Sequence, residues 1–277
     1  MSDAEWKTAD IGDVSLSYRE AGNNEPVIFL HGALSDARVW TPVIDHLPPD
    51  IRAIAPTQRY FGPGRQSHGG RPFGTGQQRD DLFAFMETLE LKAAHVVGWS
   101  FSAHSALGAT IAAPERVLSL CLYDCGFPTF VTNADALAAI AAANAETFAP
   151  LAAAAEAGDW QRAAQILIDG AAMTPGYFTD QAKRNRRIHL DNAHTIPLLF
   201  TQTPPVAISE EMLLAANVRT TIGWGETSPL PYRLISKTAA EIIPSCRAQE
   251  ISARGHLWPE SHAEEFAAFV TAHLKAD

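Results

Sequence analysis

The stretch HVVGWSFSAHSAL, from His95 to Leu107, changes from an apolar run to a helical pattern at one serine. Gly98, Ser100 and Ser102 nearly match the pattern G-x-S-x-G, in which a serine on a tight strand-to-helix turn acts as a nucleophile. Serine stands where the last glycine is expected, and a small residue there still fits the turn. The alternative is a serine that only caps a helix, so the rest of the chain has to supply a base, an acid and an oxyanion hole.

Seven apolar runs with the length of strands are spread along the chain. They read VSLSYRE, PVIFLHG, IRAIAPT, AAHVVGW, VLSLCLYD, VRTTIGW and AQEISAR. Several are continuously apolar, which is typical of parallel strands covered on both faces. Helical patterns separate them, among them GQQRDDLFAFMETLEL, SPLPYRLISKTAAEII and the terminal PESHAEEFAAFVTAHL. This alternation predicts an α/β fold with a mostly parallel, doubly wound sheet.

One alanine-rich segment interrupts the alternation. Residues 126–217 are helical in pattern and contain no convincing strand. A segment of this length is too long for a simple crossover. We therefore interpret it as a helical cap inserted into a core formed by residues 1–125 and 218–277. The cap is expected over the carboxyl ends of the strands, where open α/β sheets bind ligands.

The composition argues against several classes of partner. Hydrophobic residues make up 47% of the 277 residues, enough for a sizeable core. The formal net charge of −10 argues against nucleic acid or an anionic membrane as the main partner. The one basic cluster, KRNRR at 183–187, is interpreted as a solvated helix face, with binding of a substrate anion as the alternative. The expected partner is a small-molecule substrate, and a homodimer is compatible with the sequence.

The sequence gives no sign of a signal peptide, a membrane span or a metal site. Its beginning, MSDAEWKTAD, has neither a basic region nor an apolar run, and no run of about 18 apolar residues is evident. Cys121, Cys125 and Cys246 form no C-x-x-C and cannot all pair, which fits reduced thiols and a cytoplasmic location. The histidines lack metal-ligand spacing, and no nucleotide-binding glycine motif occurs. We therefore expect no metal and no cofactor.

A second loop with a candidate role lies in VIFLHGALSDARVW, where a buried strand ends in His31 and Gly32. The N–H of Ala33 in this loop and the N–H of Phe101 would together form an oxyanion hole with two donors. Each such donor contributes roughly 3 kcal/mol in a transition state. The His31 side chain is interpreted as structural, tying down the loop.

The general base is expected near the end of the chain. The stretch EISARGHLWPE places His256 after the last strand and before the last helix. The preceding Gly255 gives this loop the freedom to aim the imidazole. A lone histidine is more often structural, but a Gly-His pair that follows the candidate serine in chain order favours a base.

Ser100, Ala33 and His256 together resemble the α/β-hydrolase superfamily over essentially the full chain. The resemblance rests on the HG after the third strand of that fold, the elbow after the fifth, the cap after the sixth and the terminal Gly-His. It implies an α/β-hydrolase core with an inserted helical cap and a serine nucleophile.

The chain departs from this family at the triad acid. Most members carry the acid after the seventh strand in a G-x-x-D setting, but the loop GWGETSPLP has Ser228 at that place and Glu226 two residues earlier. The end of the sixth strand, LCLYDCGFP, offers Asp124. We predict that Asp124 orients His256, with Glu226 as the alternative. An acid after strand six resembles hydrolases of the zearalenone-lactonase type and the cofactor-free quinolone dioxygenases.

The predicted activity is hydrolysis of an ester or lactone of a small apolar or aromatic substrate through Ser100, His256 and Asp124. Two alternatives stay open. One is cleavage of a C–C bond by the same residues, and the other is a cofactor-free dioxygenase that uses the dyad of His256 and Asp124. Each of the candidate pocket residues could also belong to the core. They are Trp99, Trp258, Phe127, Trp160 and Phe178.

Overall fold

The computed structural model describes residues 5–63, 70–244 and 246–276. Within these residues, eight strands form one sheet in the order β1-β2-β4-β3-β5-β6-β7-β8. The pairs β1–β2 and β2–β4 are antiparallel and the other pairs are parallel, which confirms the predicted α/β fold. The strands are β1 Glu5–Asp10, β2 Ser15–Ala21, β3 Pro26–Leu30, β4 Arg52–Pro56, β5 Ala94–Trp99, β6 Val117–Tyr123, β7 Thr220–Gly225 and β8 Arg247–Ile251.

β1 is the strand that the apolar pattern does not predict. Its sequence, EWKTAD, is mostly polar, and Ala9 is its one buried residue. It pairs antiparallel with β2, with Trp6 opposite Arg19 and Ala9 opposite Leu16. An edge strand with a solvated face needs no continuous apolar run, so its sequence lacks the signal that marks the buried strands.

Helices cover both faces of the sheet. Val96 of β5 packs in one apolar cluster with Phe85 and Ile235, and the next residue, Val97, packs in a second cluster with Val43 and Phe266. Successive residues of the central strands therefore enter opposite cores, which explains why these strands are continuously apolar. The helices that flank the sheet are α1 Thr41–Asp45, α2 Thr75–Thr88, α3 Phe101–Ala112, α10 Leu230–Ile242, α11 Trp258–Ser261 and α12 Ala263–Leu274.

Between β6 and β7 the chain, all of it described, is helical and has no strand. Its longest helix packs on the next one and on α10. This is the stretch for which the sequence predicts a cap. Its helices are α4 Ala134–Glu156, α5 Trp160–Ala172, α6 Tyr177–Asp180, α7 Lys183–Asn192, α8 Ile196–Thr201 and α9 Glu210–Leu214.

α4 corrects one expectation from the sequence. It has 23 residues and is, by length and composition alone, apolar enough to cross a membrane. Alanine supplies most of this apolar character, and Ile140 and Leu151 are its two buried residues. The expectation that no such run occurs is therefore wrong, although this helix packs on α5 and α10 of the fold.

Candidate active site

Ser100 stands on a strained turn between β5 and α3. Its φ of 58° and ψ of −118° are rare for a residue with a side chain. The turn brings two elements close together, since a Cβ on Gly98 would lie 3.0 Å from the Ala103 Cα and 3.1 Å from the Ala106 Cβ. The backbone is thus bent as a nucleophile elbow requires. Glycine is needed at position 98 because α3 packs directly against it.

Ser102 does more at the elbow than occupy little space. Its hydroxyl donates to the Leu30 carbonyl at 2.7 Å and lies 3.1 Å from the Trp99 carbonyl. The Trp99 N–H approaches the same oxygen at 3.3 Å. The hydroxyl therefore ties the first turn of α3 to the ends of β3 and β5, a function that glycine cannot provide.

We expect Ser102→Gly to keep the rate of turnover while lowering the free energy of unfolding by about 1–2 kcal/mol. The loss combines one buried hydrogen bond with the lower helix propensity of glycine. Urea unfolding and turnover measured on the same preparation test this. A folded variant without turnover would show that the Ser102 hydroxyl itself takes part in the reaction.

The loop after β8 brings His256 to Ser100. The His256 Nε2 lies 3.0 Å from the Ser100 Oγ, and both side chains are buried. Two hydrogen bonds fix the backbone of this loop. The Trp99 Nε1 donates to the His256 carbonyl at 3.0 Å, and the Tyr123 hydroxyl donates to the Gly255 carbonyl at 2.8 Å. Serine and histidine are thus adjacent and in bonding geometry.

Asp124 is the carboxylate beside His256. It follows β6 directly, has a φ of 51° and is fully buried. Its Oδ2 accepts from the His256 Nδ1 at 2.9 Å and from the Ser228 hydroxyl at 2.6 Å. The Gly225 N–H lies 3.3 Å from its Oδ1. Ser228, at the position where most of the family has the acid, thus binds the acid that comes from β6.

Glu226, the alternative acid, takes other partners. Its carboxylate accepts from the Ala253 N–H at 2.7 Å and from the Ser252 hydroxyl at 3.0 Å. The Ala253 N–H, more than the Ser252 hydroxyl, lowers the pKa of Glu226 below its ordinary value. This exposed carboxylate stabilises the turn after β8, whereas Asp124 contacts the imidazole.

The amides predicted for an oxyanion hole lie around Ser100. A Cβ on Gly32 would come within 3.1 Å of the Ser100 Cβ, and Ala33 packs on the cluster that contains Phe101. Among the described residues, the N–H groups of Ala33 and Phe101 have no hydrogen-bond acceptor. They are thus available to a negatively charged oxygen bound at the serine.

His31 fixes the loop that carries Ala33. Its Nδ1 donates to the Gly32 carbonyl at 2.9 Å, and its Nε2 accepts from the Gln58 N–H at 3.0 Å. Burial lowers the pKa of His31 to about 4, so its ring is neutral. Both ring nitrogens are used within the loop, as expected for a structural histidine.

The sequence comparison identifies the family of the chain. The model of the alpha/beta hydrolase family matches residues 27–269 of the chain. The chain belongs to the alpha/beta hydrolase family. The resemblance found in the sequence is thereby confirmed at the level of the family, and the subtype with its acid after β6 stays a prediction.

One similar sequence and two similar structures illustrate the range of relatives. A 2-(acetamidomethylene)succinate hydrolase of Mesorhizobium japonicum is 30% identical over 118 residues, 43% of this chain and 42% of that protein. The structure of a carboxylesterase from Bacillus subtilis has a TM-score of 0.78 at 17% identity, covering 99% of this chain and 92% of that one. A meta-cleavage product hydrolase from Pseudomonas fluorescens has a TM-score of 0.73 at 20% identity, covering 97% of each chain. At these identities the two structures show the fold alone.

Two of the five aromatic residues predicted for a substrate pocket lie near the serine and histidine. The Trp99 ring centroid is 5.7 Å from that of His256, and the Phe127 centroid is 5.3 Å from that of Phe101. Phe101 also packs 5.4 Å from Phe73. Phe101, the residue after Ser100, thus forms an aromatic cluster with Phe73 and Phe127.

Among the described residues, the other three show no ring contact with His256 or Phe101. Trp258 points into the core, where its ring packs 5.2 Å from Tyr123. Phe178 is buried in the same apolar cluster as Trp258, and Trp160 is 41% exposed at the first position of α5. These contacts do not support a pocket role for the three, because an aromatic side chain serves a core as readily as a pocket.

Tyr232 is the residue beside His256 that the sequence does not single out. Its ring stacks on the imidazole with centroids 3.9 Å apart and planes 19° apart. It lies in the first turn of α10, between Pro229 and the exposed Lys237. The sequence pattern predicts this helix, but it does not predict that the first turn reaches the imidazole.

The three cysteines are free thiols in the structure. Burial raises the pKa of Cys125 to about 12 and that of Cys246 to about 11. These thiols are therefore protonated and unreactive at neutral pH. Among the described residues, no group of three or more His, Cys, Asp or Glu side chains could hold a metal ion.

A buried ion pair joins α7 to the two loops beside Ser100. The His189 Nδ1 lies 3.1 Å from the carbonyl of Leu34, the neighbour of Ala33. Its Nε2 lies 3.2 Å from the Glu260 carboxylate, and both side chains are 1% exposed. Burial opposes protonation of His189, but the adjacent Glu260 carboxylate outweighs it and raises the pKa of His189 above its ordinary value. The pair fastens α7 to the Ala33 loop and to the helix after His256.

We expect this pair to stabilise the protein below about pH 6.5, the ordinary histidine pKa, and to lose its effect as the pH rises through the raised pKa of folded His189. The sign follows from the folded state binding the proton more tightly than the unfolded state. Urea unfolding of the wild type and His189→Gln, from about pH 5.5 to 9, isolates the contribution. A difference in the free energy of unfolding between the two proteins that stays the same at every pH would contradict this prediction.

Proposed function

We propose that this protein is a serine hydrolase that cleaves an ester or a lactone through an acyl-enzyme. One observation carries the proposal: Ser100, His256 and Asp124 form a continuous chain of contacts at 3.0 Å and 2.9 Å, beginning at a strained strand-to-helix turn. This arrangement suits nucleophilic catalysis by serine.

The reaction begins when His256 takes the proton of Ser100 as the serine oxygen attacks the acyl carbonyl. Asp124 holds the Nδ1 proton of the imidazole and stabilises the imidazolium that forms. The N–H groups of Ala33 and Phe101 bind the oxyanion. His256 then protonates the leaving alcohol, and water repeats the sequence on the acyl-enzyme. For a lactone, the leaving alcohol stays attached to the acyl group, so the product is one hydroxy acid.

A cavity of about 460 Å³ supports a substrate with an apolar part. It lies between α4, α5 and the start of α10, and its size is ordinary for a small-molecule site. Tyr232 belongs both to its wall and to the stack on His256, so its ring lies between the cavity and the imidazole; Ser100, His256 and Asp124 do not line the cavity. Most of its other wall residues are small or apolar: Ala139, Ala142, Ala143, Leu167, Gly170, Ala171, Pro229, Leu230 and Pro231.

The test is a panel of p-nitrophenyl esters, from acetate to decanoate, and of lactones, assayed with the wild type and Ser100→Ala. We expect turnover by the wild type that rises with acyl length, and a loss of at least about 10³-fold in the variant. Equal turnover by both folded proteins would contradict the proposal. Oxygen uptake with a heteroaromatic alcohol, unaffected by Ser100→Ala, would favour the dioxygenase instead.

A further inference from the structure

His256 is held in its own plane by two partners. Its Nδ1 contacts the Asp124 carboxylate at 2.9 Å, and its Nε2 contacts the Ser100 hydroxyl at 3.0 Å. Both contacts lie at the edge of the ring and direct its nitrogens. Neither opposes a tilt of the imidazole about the line that joins the two nitrogens, so a third contact is needed to fix the ring face.

Tyr232 supplies a contact on that face. Its ring is 3.9 Å from the imidazole centroid and nearly parallel to it, at 19°. The Trp99 ring is farther away and inclined, at 5.7 Å and 41°. Among the residues that the structure describes, Tyr232 is therefore the aromatic ring in face-to-face contact with His256. The electron-rich face of tyrosine attracts a cation that lies over it, and His256 becomes a cation each time it takes the proton of Ser100.

We propose that Tyr232 is a positioning residue: its ring fixes the plane of the His256 imidazole and stabilises the imidazolium formed during acyl transfer. The inference rests on the proposed hydrolase chemistry and adds a residue to it. The ring acts through His256 and contributes in both acylation and deacylation, because the imidazolium forms in each. The Tyr232 hydroxyl interacts with the Ser100 side chain, which partly opposes the rise in the pKa of Tyr232. The contact between the two ring faces does not depend on that hydroxyl.

The charge state of Tyr232 is consistent with this role. Burial and the nearby Asp124 carboxylate raise the pKa of Tyr232 to about 12, so the ring is neutral near neutral pH. A neutral ring offers its face to the imidazolium without adding a charge of its own. Asp124 and Tyr232 are the ionisable side chains that the described residues place in contact with the imidazole.

The experiment compares the wild type with Tyr232→Phe and Tyr232→Leu. Phe keeps the ring and should keep kcat within about threefold. Leu removes it, and we expect kcat to fall about tenfold and the acid limb of kcat/KM to move by ~0.5 pH unit or more toward lower pH. A fall in kcat with KM nearly unchanged separates this effect from loss of the cavity wall, which would act on KM. Lys237→Ala, exposed on the same helix, is the control and should match the wild type.

Ring fluorination gives a second series that does not remove packing volume. Phenylalanines with one to three ring fluorines, incorporated in place of Tyr232, weaken the negative face stepwise. The midpoint of His256 protonation, followed by NMR in a Ser100→Ala background, should fall with each fluorine. This readout needs no turnover, so it remains decisive if the protein hydrolyses none of the esters or lactones.

Two results would overturn the inference. The first is the same protonation midpoint for His256 in Tyr232→Phe, its fluorinated forms and Tyr232→Leu. The second is a kcat in Tyr232→Phe as low as in Tyr232→Leu, which would assign the effect to the hydroxyl. Failure of the wild type on every ester and lactone, with the midpoints moving as expected, would instead contradict the proposed function alone.

Discussion

Asp124→Asn should lower kcat for ester hydrolysis by about 10⁴-fold while leaving the fold intact. The carboxylate accepts the Nδ1 proton of His256 and compensates the charge on the imidazolium. An amide has the same shape, but it carries no charge and can present its NH₂ group to Nδ1. The imidazole would then prefer the tautomer that cannot accept the proton of Ser100. Single-turnover kinetics and circular dichroism on the same sample measure the effect.

Glu226→Gln is the matched control, since it makes the same chemical change in the alternative acid. Its carboxylate binds Ala253 and Ser252 and does not contact His256. We expect its kcat to stay within about twofold of the wild type. A large loss in Glu226→Gln with little loss in Asp124→Asn would place the acid in the loop after β7.

Arg59→Leu is expected to lower the free energy of unfolding by about 3 kcal/mol or more. The Arg59 guanidinium is almost fully buried. It binds the Asp81 carboxylate through two contacts of 2.7 Å and Asp13 at 2.9 Å. Without Arg59, the Asp81 carboxylate stays in a mostly buried site without its main counter-charge. Urea denaturation at neutral pH measures the loss.

The double variant Arg59→Leu with Asp81→Leu tests the cause. Removing both charges leaves no unpaired carboxylate beside the apolar side chains of α2. The double variant should therefore recover much of the stability that Arg59→Leu alone loses. A double variant less stable than Arg59→Leu alone would show that the two side chains contribute through packing and not through their charges.

This ion pair also matters for the geometry around Ser100. Arg59 adjoins Gln58, whose side chain donates to the His31 carbonyl at 2.8 Å and whose N–H donates to the His31 ring. The loop that carries Ala33 is thus held by the segment that Arg59 anchors to α2. We therefore expect Arg59→Leu to lower hydrolysis as well as stability.

The serine and the histidine of the site could be predicted because each lies within a short, recognisable context. Ser100 stands between an apolar strand and a small-residue helix, and His256 follows a glycine between the last strand and the last helix. The structure adds a different reason for that glycine: a Cβ on Gly255 would lie 3.0 Å from the Thr227 Oγ1. Close approach of the two loops, more than freedom of the chain, favours glycine there.

The choice between Asp124 and Glu226 depends on backbone geometry that no short pattern encodes. β6 and β7 are neighbours, with Tyr123 opposite Gly223, so the residues after both strands reach the same edge of the sheet. Asp124 has a left-handed φ, and its side chain contacts His256. The Glu226 side chain instead contacts the turn after β8. Because Ser228 stands where most of the family has the acid, the sequence favours Asp124. The hydrogen bond between the Ser228 hydroxyl and the Asp124 carboxylate is visible only in the fold.

Tyr232 and β1 show where the sequence patterns carry no information. The amphipathic pattern of α10 determines which face of the helix is buried, but the approach of its first turn to His256 depends on the path of the preceding loop. The polar β1 is a strand because β2 offers it an edge to pair with. Both features depend on contacts between elements that lie far apart in the chain.

The most direct test of the account is intact-mass analysis after exposure to a fluorophosphonate, comparing the wild type with Ser100→Ala. An activated serine forms a stable phosphonyl ester, so we predict one adduct on the wild type and none on the folded variant. An adduct that persists in Ser100→Ala would contradict the assignment of Ser100 as the nucleophile. A folded wild type that hydrolyses esters yet takes up no probe would contradict an acyl-enzyme mechanism.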